Sequence, residues 1–249
     1  MKHEDFVEQV STHSDALRAA AVAAGPDAPV PTCPGWTVRQ LVEHIGVVHG
    51  WVAQATTTPV DGPPPGRPTP PQDWADLLAW WDELRAELLR NLAEVRPCWM
   101  RFPMLAASTA GWARRQAHET AIHRLDAEHA AAAAPHQQAS TVPTLVFDPE
   151  FAADGIDELL SLQPVLSKHW ESWTDTGRVL VHAADAGRLW VVRLRPGQPP
   201  EVGETRDAVG EVDATVAGTA DAVYRALWKR PSTALVSGQP AVAAALRGL

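Results

Sequence analysis

Glu119 and His123 stand four residues apart in the segment Trp112-Ala113-Arg114-Arg115-Gln116-Ala117-His118-Glu119-Thr120-Ala121-Ile122-His123-Arg124-Leu125-Asp126. On a helix this spacing sets a carboxylate and an imidazole on one face, one turn apart, where they can offer two ligands to a divalent cation. His118 does not join them. It lies five residues from His123, and at about 100° per residue the two rings diverge by about 140°, so the paired-histidine face of a zinc protease does not form.

On the helical wheel Trp112, Arg115, Gln116, Glu119, His123, Asp126, Ala127 and Ala130 share a side, while His118, Ile122, Leu125 and His129 point away. Ionisable groups mixed with small residues suit a wet channel inside a bundle. The plain alternative is a solvated face on which Arg115 and Glu119 form an i, i+4 ion pair worth roughly 0.3 kcal/mol. A catalytic metal site needs a third protein ligand and an open position. The candidates are His44 and His49 on a neighbouring helical segment, and His13 further upstream; periodicity mildly favours His49, which sits nearer the middle of its apolar stripe. Cys33 and Cys98 have no histidine at a spacing that would activate a thiolate, so both are expected to be structural.

The elements that must position these groups are helices. Phe6, Val10, His13 and Leu17 mark one over residues 3 to 24, ended by Gly25-Pro26. Thr37 and Gln40 form a capping box that opens a second, striped by Val38, Leu41, Val42, Ile45, Val48 and Val52. Seven prolines between Pro59 and Pro71 make a loop. A third helix follows from about Asp73 to Pro97, and a fourth from about Gly111 to Ala134, stopped at Pro135. This pattern predicts an antiparallel four-helix bundle with any site in its core.

The second half changes character. Val179-Leu180-Val181 and Leu189-Trp190-Val191-Val192 flank Asp185-Ala186-Gly187 as a hairpin, Ala214-Thr215-Val216 reads as a further strand, and residues 220 to 229 and 240 to 246 read as helices. The expected fold class is α+β: a bundle over 1–139, a connecting segment over 140–177 with a short helix near Asp154 to Leu162, and a small α+β domain over 178–249. Arg225, Lys229 and Arg230 follow the last predicted strand and are candidates to meet an acidic substrate or thiol.

Composition bounds the partners. Asp and Glu number 30 against 21 Lys and Arg, a formal charge of −9 with no basic block, which disfavours nucleic acid and membrane surfaces. The start of the chain lacks the pattern of a signal peptide, and no apolar run has the length of a membrane span, so a soluble, cytoplasmic protein is expected.

Pro34-Gly35-Trp36-Thr37-Val38-Arg39-Gln40-Leu41-Val42-Glu43-His44-Ile45, together with Arg114 to Asp126, resembles the actinobacterial maleylpyruvate isomerase and mycothiol-dependent enzyme family. Ala214 to Leu227 and Val236-Ser237-Gly238-Gln239-Pro240 are more weakly similar to that family's sterol-carrier-like C-terminal domain. The resemblance implies a DinB-like bundle holding a divalent metal, usually zinc, through His44, Glu119 and His123, with His44 taking precedence over His49. It implies mycothiol as co-substrate, its thiolate attacking a small electrophile in an isomerase or transferase reaction. Arg115 is then a candidate contact for a substrate carboxylate. Two alternatives stand beside this: a metal-dependent hydrolase on the same ligands, and a carrier whose second domain holds an apolar ligand between residues such as Trp190 and Trp228.

Overall fold

Helix α1 (His3–Ala24) ends where Gly25 adopts a φ of 83° ahead of Pro26. The next helix, α2 (Val38–Ala55), is opened by the predicted capping box: the Thr37 hydroxyl accepts the Gln40 amide, and Gln40 Oε1 accepts the Thr37 amide at 2.8 Å. Asp73 caps α3 (Trp74–Leu92) by accepting the amides of Ala75 and Asp76, and α4 runs over Thr109–Ala133. These belong to a computed structural model that describes residues 1–133, 145–166, 169–174, 176–205 and 210–247. The expected stop of the fourth helix at Ala134–Pro135 lies outside the described residues. Two units are distinguished, Met1–Leu145 and Val146–Leu249.

In the first unit the four helices are not all antiparallel neighbours. Trp51 meets Trp112, His49 meets Thr120 and His44 meets Glu119, so α2 and α4 run in opposite senses. Phe6 meets His118 and His13 meets Arg124, so α1 and α4 run in the same sense. His49 meets Trp81 and Ala53 meets Asn91, so α2 and α3 are parallel as well. The proline-rich stretch makes this order feasible, because parallel neighbours need a connection long enough to return the chain to the starting end. Its middle is pinned onto α2: Trp51 Nε1 donates to the Pro65 carbonyl at 3.2 Å, and the Arg67 guanidinium lies 5.6 Å from the centre of the Trp51 ring. Leu17, Val38, Leu41, Ile45, Leu77 and Trp81 form the core, joined by Ala127 and Ala130 of α4.

Helix α4 is covered on nearly every side. Ile122 and Leu125 are buried, and so are His118, Arg115, Gln116, His123 and Asp126. A solvated polar face is therefore excluded: the charged side of α4 turns into the bundle. The Arg115–Glu119 ion pair does form, but in the interior.

The second unit begins with α5 (Pro149–Leu166), followed by a 3-10 turn (His169–Ser172). Strands β1 (Gly177–Ala183), β2 (Arg188–Arg195), β3 (Gln198–Thr205), β4 (Ala214–Gly218) and β5 (Leu235–Gly238) build one sheet in the order β3-β2-β1-β4-β5. Pairs are antiparallel except β1 with β4. Helix α6 (Ala220–Leu227) lies between β4 and β5 in the chain, and α7 (Pro240–Arg247) follows β5. Val179, Val181, Trp190, Val192, Ala214 and Val216 form the buried face of the sheet, as alternation requires.

Several expectations for this half change. The short helix foreseen near Asp154 to Leu162 extends over the whole of α5. It is part of the sheet unit rather than of a connection spanning 140–177: Trp190 Nε1 donates to Asp157 Oδ1 at 3.1 Å, and Phe147 and Phe151 pack on Tyr224. Residues 140–144 of that segment fall outside the described residues. Strands β3 and β5 add to the three that were foreseen. Helix α6 stops before Lys229, whose φ of 58° takes the chain out of helical geometry. No helix among the described residues is long and apolar enough to cross a membrane.

Candidate metal centre

His44 is carried by α2 about two turns after the Thr37 cap, and Glu119 and His123 are carried by the buried middle of α4. The antiparallel crossing of these helices brings the three together. His44 Nε2 lies 3.2 Å and His123 Nε2 3.5 Å from the same oxygen, Glu119 Oε1. One ligand atom from each of the three lies within 4.8 Å of the others. Two imidazole nitrogens and a carboxylate oxygen are a donor set that zinc accepts in catalytic sites, and the residues fit a divalent cation. The His44 side chain retains 33% exposure against 10% for His123, so the cluster is approached from the His44 side.

The other carboxylate oxygen, Glu119 Oε2, is engaged by Arg115. Burial alone would raise the Glu119 pKa, but the Arg115 charge and the hydrogen bonds from His123 and His44 hold it well below the ordinary carboxylate range. Burial likewise opposes a charge on His123, yet its hydrogen bonds to Asp126 and Glu119 raise its pKa to about 9 in the metal-free protein. Arg115, a candidate substrate contact in the sequence, is thus placed as the charge partner of Glu119.

His49 takes another role. Trp81 Nε1 donates to its Nδ1 at 3.1 Å and its Nε2 meets the Thr120 hydroxyl at 3.0 Å, in a fully buried setting. Both ring nitrogens are committed to the core, so the mild wheel preference for His49 fails for a reason that helical period does not encode. His13 is also buried, beside Arg124 at 3.3 Å and away from the cluster on the α1 side of α4.

The turn before α2 contributes groups that spacing did not reveal. Trp36 lies over both imidazoles: its ring is stacked on His123 at 6.3 Å with a 15° tilt, and lies 5.2 Å from His44. Asp126, wholly buried, accepts from Thr32 Oγ1 at 2.5 Å, from Cys33 Sγ at 3.2 Å and from His123 Nδ1 at 3.0 Å. Cys33, His123 and Asp126 form a second close group, in which Asp126 is hydrogen-bonded to both of the others. Cys33 therefore borders the site, where no histidine spacing pointed to it. Cys98 is buried, with its thiol pKa pushed by burial up to about 11.

In the sheet unit Arg225 is buried and bound through Nε to both oxygens of Asp221, at 2.9 Å each. Lys229 and Arg230 line a pocket of about 300 Å³ with Ser232. Trp190, one of the residues foreseen around an apolar ligand, is fully buried core.

The sequence model of the mycothiol maleylpyruvate isomerase N-terminal domain matches residues 7–128, a span that contains His44, Glu119, His123 and Asp126. Searches of curated proteins and of solved structures return no significant match. The helix bundle of this chain belongs to the mycothiol maleylpyruvate isomerase N-terminal domain family.

Proposed function

We propose that the protein is a metal-dependent transferase or isomerase that uses mycothiol, an external low-molecular-weight thiol, against a small electrophile. The observation that carries this is the meeting of His44, Glu119 and His123 across two helices inside a bundle of the mycothiol-related family. A divalent cation such as zinc, held by these three, would lower the pKa of a thiol that reaches it and so supply thiolate at neutral pH.

The chain's own residues prepare the place. Arg115 neutralises Glu119 and occupies Oε2, leaving Oε1 toward the histidines. Asp126 holds the far edge of the His123 ring, and Trp36 shelters both imidazoles from water. With Glu119, Asp126 and Arg115 charged, a divalent ion would leave the cluster net positive. That field would attract a thiolate or a substrate carboxylate in spite of the acidic chain. Thiolate addition to a cis double bond, rotation about the resulting single bond and elimination of the same thiol give the trans product. Retention of the sulfur gives a transferase.

The test is metal analysis of protein purified without chelator, coupled to turnover assays with and without mycothiol on a panel that includes maleylpyruvate and simple electrophiles. About one zinc-type ion per chain and thiol-dependent turnover are expected. Failure to bind zinc on titration overturns the proposal, and metal-dependent turnover without thiol replaces it with a hydrolase.

A further inference from the structure

We infer that Asp126 is a positioning residue for this centre: it sets which nitrogen of His123 faces Glu119 and fastens the Thr32–Cys33 turn to the same ring. The inference rests on the metal-site proposal above.

Asp126 is fully buried, and a buried carboxylate is tolerated only when it is well hydrogen-bonded. Its donors come from two places far apart in the chain. His123 lies one helical turn before it on α4, while Thr32 and Cys33 lie in the turn before α2. An ionised carboxylate only accepts hydrogen bonds, so the proton of the His123–Asp126 bond sits on Nδ1. Nε2, the nitrogen turned toward Glu119 Oε1, is then the one that would give up its proton and ligate a cation. With Asp126 at the ring's edge and Trp36 stacked on its face, the imidazole is held in two directions. Thr32 and Cys33 precede Trp36 by four and three residues, so their bonds to Asp126 also hold the turn that carries the indole.

The experiment uses the full chain and zinc. Nitrogen-15 NMR of the zinc-loaded wild type should show His123 ligating through Nε2 and protonated on Nδ1; ligation through Nδ1 overturns the inference. Zinc affinity is then measured against a chelating dye. Asp126→Ala should weaken binding by about 10- to 100-fold, and Asp126→Asn, which keeps an acceptor for Nδ1–H, should recover part of the loss. An Asp126→Ala protein that melts earlier but binds zinc within about twofold of wild type, well under that expected loss, overturns the inference and leaves the metal site standing. If Asp126→Ala does not fold, the wild-type NMR result and the Asp126→Asn affinity decide. An Asn variant that shifts ligation away from Nε2 contradicts an acceptor role. A wild type that binds no zinc overturns both proposals.

Discussion

The indole N–H of Trp81 donates to Nδ1 of His49 at 3.1 Å, in a position from which neither residue reaches solvent. With Nε2 of the same ring on Thr120, His49 is a neutral crosslink between α2, α3 and α4. Five residues earlier on α2, His44 faces Glu119 instead. Two histidines on one helix are thereby divided between the packed core and the Glu119–His123 cluster.

That division predicts opposite phenotypes. His49→Leu strands the Trp81 N–H and the Thr120 hydroxyl, and should cost about 1–3 kcal/mol in urea unfolding while leaving zinc stoichiometry intact. His44→Ala, at a partly exposed position, should change stability by about 0.5 kcal/mol or less and abolish retained metal. Metal analysis and denaturation of the two variants side by side check both halves.

Acid should weaken the fold through buried histidines. Burial, assisted by neighbouring positive groups, lowers the pKa of both His13 and His49 from 6.5 to about 3. Between those values the unfolded chain takes up protons that the native state refuses, so stability is full above pH 6.5 and falls as pH drops toward 3. Each histidine contributes a slope of about 1.4 kcal/mol per pH unit in this window. His123 acts in the opposite sense in metal-free protein: its pKa of about 9 gives stability present below 6.5 and lost as pH rises through 9. Urea midpoints across this range should peak near the middle, and His49→Leu should flatten the acid limb.

Glu119 and Arg115 should behave as a coupled pair. Glu119→Gln removes the counter-charge of a buried guanidinium, a loss of about 3–5 kcal/mol for a fully enclosed pair and less here because Glu119 keeps some exposure. Arg115→Met combined with Glu119→Gln should cost less than the sum of the single changes. A double-mutant cycle in urea reads the coupling. Both proteins that lack the Glu119 carboxylate should lose zinc.

The reactive sulfur should come from outside the chain. A Cys33→Ser, Cys98→Ala protein keeps a hydroxyl donor for Asp126 and should retain mycothiol-dependent turnover. Iodoacetamide should modify Cys98 only after unfolding, because its thiol is buried and its pKa is about 11. Loss of turnover in Cys33→Ser alone would place the nucleophile within the protein.

Much of the helical unit was legible because its signals are local. The Thr37–Gln40 box, the start near Asp73 and the Gly25-Pro26 stop each act within a few residues, and the structure places those helix ends within about two residues of them, whereas α3 ends at Leu92, short of the expected Pro97. Strand β3 was not legible: Pro199 and Pro200 suppress a strand signal, and they are accommodated because β3 is at the edge of the sheet. Strand β5 is four residues long and exposed, with no alternation to detect.

The one-face pairing of Glu119 with His123 followed from the sequence alone, since four residues make about one helical turn wherever the helix lies. Helical period could not choose between His44 and His49, and it was the resemblance that preferred His44; the burial of the charged side of α4 and the reach of Thr32 and Cys33 to Asp126 were decided by tertiary structure. Helical period says which side chains share a face, but not which neighbouring helix covers that face or how far along it crosses. Those follow from the parallel pairing of α2 with α3 and the antiparallel crossing of α2 and α4, set by packing between residues 32 to 75 positions apart.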